Sequence, residues 1–273
     1  MAHRDSGLPS ELERIVFKLA ALDRPSSIPT LIRVAWRVKQ WVEPLLYRTL
    51  VINDSPIDGI PSCDMDTFRR IAETKSPDFL ADAVRNVMIG PTPISQLQTI
   101  LSACRGIQNL YFSGHVFVQR TTIDILPLRH LYCWLRSVFD LCGRSVCTRF
   151  AHLTHLYLRD DPWHGDAAQV AATLTQIPNL THFAMNRTPH PAFYSQILDA
   201  CTHLRVLVVL PGEVWGVEEY PVLSDVRLVK MWPQSYKTDW KLGISTGDDF
   251  WARAEAIVAD RISGEVEGLF PSP

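Results

Sequence analysis

Phe150-Ala-His-Leu153-Thr-His-Leu156-Tyr-Leu158 places apolar residues at its first, fourth, seventh and ninth positions. The closing interval of two is the period of an extended strand, in which alternate side chains share a face. Searched along the 273 residues, the same frame returns at Ala81-Val84-Val87-Ile89, Cys104-Ile107-Leu110-Phe112, Ile125-Leu128-Leu131-Cys133, Ile177-Leu180-Phe183-Met185, Cys201-Leu204-Leu207-Val209 and Tyr220-Leu223-Val226-Leu228. The third positions, residues 87, 110, 131, 156, 183, 207 and 226, are 23, 21, 25, 27, 24 and 19 residues apart. Helical stretches at 94–103, 137–150, 167–174 and 192–200 fall between them. A single strand with one return helix cannot bury its own apolar face, whereas stacked units form a continuous core. The frame therefore predicts an α/β open solenoid over residues 79–232, a parallel sheet backed by outer helices.

Residues between the inward anchors point to the opposite, concave face of that sheet. One column there reads Asn86, Asn109, His130, His155, His182, Val206 and Asp225; the next reads Met88, Tyr111, Tyr132, Tyr157, Ala184, Val208 and Arg227. A third carries Gly90, Ser113, Trp134, Arg159, Asn186, Leu210 and Val229. Tyrosine, tryptophan and arginine combine large contact area with a polar tip and dominate protein–protein hot spots. The predicted partner-binding strip is accordingly Asn109, Tyr111, His130, Tyr132, Trp134, His155, Tyr157, Arg159 and His182, with ring stacking inside the sheet as the reading that needs no partner. Three imidazoles in one column suggest a metal, yet nothing supplies a fourth ligand, so no metal and no cofactor is expected.

The chain carries 27 Lys+Arg against 29 Asp+Glu, which disfavours a general nucleic-acid binder. No apolar run reaches the length of a membrane span, and the stretch from Ile15 to Leu22 is interrupted by Lys18. A cytoplasmic or nuclear protein without a signal peptide is expected. Of six cysteines none forms a CxxC pair, and Cys104, Cys133 and Cys201 fall on frame positions as small buried hydrophobes. There is no phosphate-cradling glycine loop, Gly-x-Ser-x-Gly elbow or HExxH, so an enzyme is not expected. His152-x-x-His155 spans a frame boundary, and Asp160 to Asp166 reads as a solvated loop.

Residues 8–52 differ from the rest. Leu8-Pro9-Ser10-Glu11-Leu12-Glu13 reads as a helix start with Ser10 as N-cap and Glu13 reaching back to it. Leu12, Ile15, Val16 and Leu19 make one stripe. A second helix starts near Pro29 with Leu31, Val34, Ala35 and Val38 as its buried stripe; Pro44 opens a short third turn, and Leu50-Val51-Ile52 forms a strand. At the other end, Asp248-Asp249 opens an amphipathic helix with Trp251, Ala254, Ile257 and Val258 on one face and Gly264 after its end. That helix, within 245–268, is predicted to cap the last repeat. The first 50 residues hold 8 Lys+Arg and 5 Asp+Glu; residues 213–273 hold 6 and 11.

Three short helices beginning Leu-Pro and ending Leu-Leu-Tyr-Arg resemble an F-box, in particular the F-box-like class numerous in mushroom-forming fungi. Leu8, Pro9, Glu11, Leu12, Val16, Phe17 and Leu19 fall on first-helix positions of that family, and Val34, Trp41, Leu45, Tyr47 and Arg48 on later ones. Glu13 departs, since an apolar residue is common there. The repeated frame resembles the divergent leucine-rich repeats that follow F-boxes, although the consensus asparagine position holds Thr92, His115, Arg136, Asp161, Thr188, Gly212 and Met231. The resemblance implies a substrate-recognition subunit of a cullin-RING (SCF-type) ubiquitin ligase. Leu8, Pro9, Leu12, Val16 and Phe17 would dock to the Skp-type adaptor, and the concave strip would hold an unknown protein substrate, with no nucleic acid or membrane partner. The alternative is a non-catalytic repeat scaffold whose first helices act only as an N-terminal cap with apolar residues facing inward.

Overall fold

A computed structural model of the chain describes residues 8–113, 123, 126–134, 150–159, 167–186, 191–210, 225–232 and 235–264. The predicted helix over 137–150 apart from Phe150, the loop Asp160 to Asp166, the frame positions Ile125, Tyr220 and Leu223, and Cys142 and Cys147 lie outside them. Among the described residues nine strands form one parallel sheet: β1 (Thr49–Ile52), β2 (Ser62–Cys63), β3 (Asn86–Ile89), β4 (Asn109–Phe112), β5 (His130–Cys133), β6 (His155–Leu158), β7 (His182–Asn186), β8 (Val206–Leu210) and β9 (Leu228–Lys230). Apart from β2, which flanks β1 at one edge, they lie in chain order. The frame's third positions align into one row, Val87, Leu110, Leu131, Leu156, Phe183 and Leu207. The seventh departs from the sequence reading: Leu207 pairs with Leu228, so the last anchor is Leu228 rather than Val226, which is 42% exposed. A further unit precedes the frame, because Leu50 of β1 pairs with Val87. The segment expected to stand before the solenoid thus supplies one of its strands.

The anchors face a core shared with the outer helices α4 (Met65–Thr74), α5 (Pro77–Ala83), α6 (Ile94–Ala103), α7 (Ala167–Leu174) and α8 (Pro191–Ala200). Cys104, Cys133 and Cys201 are buried there. No asparagine ladder runs at the consensus position. A polar ladder lies instead at the start of the strands, where Asn109 Nδ2 donates to Asn86 Oδ1 (2.6 Å) and Asn86 Nδ2 to Thr49 Oγ1 (2.9 Å).

The N-terminal helices α1 (Ser10–Asp23), α2 (Ile28–Leu31) and α3 (Trp36–Leu46) enclose a small core of Ala21, Ile28, Val38 and Val42, with Phe17 and Leu31 packed against it. Four expectations are corrected. Pro9, not Ser10, is the N-cap of α1, and its carbonyl accepts from the Glu13 amide. The Glu13 carboxylate does not reach back, because it receives two bonds from Arg37 at 2.8 Å each. Pro44 lies inside α3 rather than opening a new turn, and Val34 is 59% exposed because a turn separates α2 from α3. Lys75 ties this unit to the solenoid, bonding Glu43 Oε1 at 2.8 Å and sitting over the Tyr47 and Phe79 rings.

The largest correction concerns the C-terminal helices. α9 (Tyr236–Ser245), unanticipated, and α10 (Phe250–Ser263) lie across the sheet face that carries the tyrosine column, and α10 reaches the β9 edge as well, so it does more than cap the end of the stack. Asp249 is the N-cap of α10, accepting from Ala252 N, and Gly264 ends it with φ +78°. Val51, Met88, Tyr111, Tyr132, Tyr157, Ala184, Val208 and Val229 form a second core with Trp240, Phe250, Trp251, Ala254 and Val258. The sheet is therefore covered on both faces, the usual condition of parallel sheets. Among the described residues no helix is long and apolar enough to cross a membrane.

Candidate docking surface and the covered strip

The α1 stripe points outward. Leu12, Ile15, Val16 and Leu19 are 48%, 52%, 54% and 60% exposed, with Leu8 and Leu22 continuing the row at either end. The helix turns the other side, Glu13, Phe17 and Ala21, toward α2 and α3. Of the predicted adaptor-binding residues, Leu8, Pro9, Leu12 and Val16 are thus brought together on the surface, while Phe17 is half-buried and supports the helix from beneath. Val34 and Trp36 add exposed apolar area at the α2–α3 turn, with the Lys39 ammonium 5.3 Å from the Trp36 ring centroid. An exposed run of large side chains on an otherwise folded helix marks an interaction surface, since it gains by leaving water.

The predicted partner strip is brought together but covered. Tyr111 and Tyr157 are 1% exposed, and Tyr132 and His182 are also buried. Asn109, Trp134, His130, His155 and Arg159 are half-buried. Tyr111 meets Trp240, Tyr157 meets Phe250, and Trp251 Nε1 donates to the Tyr132 hydroxyl at 3.2 Å. Burial pushes the Tyr111 phenol up to about 12 and the Tyr132 and Tyr157 phenols well above their ordinary range. These tyrosines act as core side chains with satisfied or shielded tips, and a partner cannot reach them while α9 and α10 lie there. The expectation of an open binding strip is corrected on that ground.

The imidazoles form a stack. His130 and His155 have ring centroids 4.1 Å apart, as do His155 and His182, with interplanar angles of 26° and 8°. Ring nitrogens hold their lone pairs in the ring plane, so parallel stacked rings direct them alongside one another instead of toward one ion. Among the described residues no group of three or more His, Cys, Asp or Glu side chains is placed to hold a metal ion. His155 Nδ1 bonds Thr154 Oγ1 and His182 Nδ1 bonds Thr181 Oγ1, both at 2.8 Å. His182 Nε2 bonds Glu255 Oε1 at 2.9 Å. Burial lowers His130 to about 4 and His155 to about 2, and lowers His182 despite the opposing pull of Glu255. His152 is exposed and separate from this stack.

At the carboxyl ends of the strands the sequence reading missed a polar network. Arg159 Nη1 donates to the Phe112 and Ser113 carbonyls, and its guanidinium lies 5.0 Å from the Tyr111 ring centroid and 5.7 Å from that of Trp134. Asn186 accepts from the Tyr157 and Tyr236 hydroxyls. Lys237 on α9 donates to Asp54 Oδ1 at 2.6 Å, so the end of β1 is tied to the C-terminal segment. The third sequence column contained Ser113, Trp134, Arg159 and Asn186, but the partners on α9 come from a helix no periodicity announced. Compared with known proteins, the chain matches no family model and no curated protein.

Proposed function

We propose that the chain is a non-catalytic receptor subunit of a cullin-RING ubiquitin ligase, docking to a Skp-type adaptor through the outer face of α1. The observation that carries this is the exposure of Leu12, Ile15, Val16 and Leu19 on a helix whose sequence resembles the first helix of an F-box. Each such side chain gains about 1 kcal/mol when its remaining half is buried. Catalysis belongs to other subunits, and the receptor acts by raising the effective concentration of its substrate. Because the tyrosines are covered, substrate contact is assigned to the half-buried Trp134 and Arg159 at the strand ends.

Leu12→Asp with Val16→Asp tests the docking face, since both positions are solvent-exposed and the pair leaves the small core intact. Expected are an unchanged thermal midpoint and loss of co-purification with the adaptor. Failure of the unaltered chain to bind any Skp-type adaptor rejects the reading. A second reading, a repeat scaffold capped by these helices, is favoured by the continuity of α3 into β1. It predicts that the double variant keeps every interaction of the parent chain.

A further inference from the structure

α10 rests on a stack of three imidazoles that holds one carboxylate. Trp251 meets His155 and His182 edge-on, with centroids 5.2 and 5.9 Å apart. Glu255, also on α10 and half-exposed, takes His182 Nε2. From the sheet side the charged groups acting on the stack are Arg129 before β5 and Arg205 before β8, both cations, and Asn109 beside His130 on β4 is neutral. One proton on the stack can be shared with Glu255. A second or third meets a cationic ring 4.1 Å away, and among the described residues no carboxylate acts on His130 or His155.

We propose that this stack is an acid-operated latch: protonation of His130, His155 and His182 releases α10 from the sheet face and uncovers Tyr132, on which Trp251 lies, while Trp240 of α9 stays on Tyr111. Release is local because the outer core of anchors and return helices shares no side chain with the C-terminal layer, and the sheet's hydrogen bonds run between strands. Asp249, at the start of α10 near Asp239 and Arg253, works in the opposite direction, since proton uptake removes a buried charge. Three imidazoles outnumber that one carboxylate, so release prevails below about pH 6. The latch stands independently of adaptor docking through α1.

Hydrogen–deuterium exchange of the full chain, corrected for the intrinsic pH dependence of exchange, reads the latch directly. Between about pH 7 and 5 the amides of α10 are expected to exchange about a hundredfold faster, since each net proton taken up changes the opening equilibrium tenfold per pH unit, while β6 and α6 keep their protection. His155→Phe retains a stacked ring that cannot titrate and is expected to move release to lower pH. Glu255→Gln removes the counter-charge from a half-exposed position and is expected to move it to higher pH. Unchanged α10 protection in the unaltered chain overturns the proposal, and so does loss of protection in α10, β6 and α6 together. So does an identical midpoint in all three proteins.

Discussion

Individual residues here are fixed by what faces them. Gly90 follows β3, where its amide donates to Ile52 O at 2.8 Å, and a Cβ added there falls 1.8 Å from the Asn53 carbonyl oxygen. Asn53 leaves β1 with φ +52°, so neither backbone can retreat without disturbing the β1–β3 pair. Gly90→Ala is expected to lower stability by about 3 kcal/mol, read from the urea midpoint at unchanged m-value. Phe17 carries a different lesson. As a family-position residue it belongs with Leu12 and Val16, yet it is half-buried and packs against the small core of Ala21, Ile28, Val38 and Val42. Phe17→Ala is expected to cost about 1–3 kcal/mol, so a loss of partner binding in that variant reports unfolding as much as docking.

At the scale of elements, α10 shows how a helix can be well capped and electrostatically strained at once. Asp249 accepts from the Ala252 amide, but burial pushes its carboxyl from 3.8 up to about 6. Between those values the folded state binds more protons than the unfolded one, so this group's contribution to stability falls as pH rises through about 4 to 6. It stays unfavourable above that window. Asp249→Asn keeps a capping acceptor and removes the charge, and is expected to raise stability by about 1–2 kcal/mol near pH 7.5 with little effect near pH 4. Paired urea titrations check the sign. β9, the open edge, is protected by the same helix: Arg261 Nη1 donates to the Leu228 and Val226 carbonyls at 2.7 and 3.2 Å. Filling those acceptors blunts an edge that would otherwise recruit another strand.

Over the whole molecule, three layers share one sheet: outer helices, strands, and the α9–α10 pair. Trp240 is 1% exposed against Tyr111, and Trp240→Ala is expected to cost about 3–5 kcal/mol and to raise dye binding to apolar surface as the inner layer loosens. How much of this was legible follows from the physics of each signal. The strand frame, its interval and the buried cysteines were readable because side-chain alternation and repeat length are properties of local sequence. Val206-Leu-Val-Val-Leu210 even carried a hint of the inner layer, since an unbroken apolar run belongs to a strand buried on both faces. The outward turn of the α1 stripe was implied only by the resemblance of these helices to an F-box, because periodicity says that a helix has an apolar face and not what covers it. The same holds for Tyr111, Tyr132 and Tyr157, whose spacing is equally that of a binding strip and of a core. The sequence by itself determined a parallel repeated sheet with helices on one side. Only the tertiary structure decided which apolar faces stay open, because that depends on segments far apart in the chain, α10 and α1 above all, competing to cover the same area.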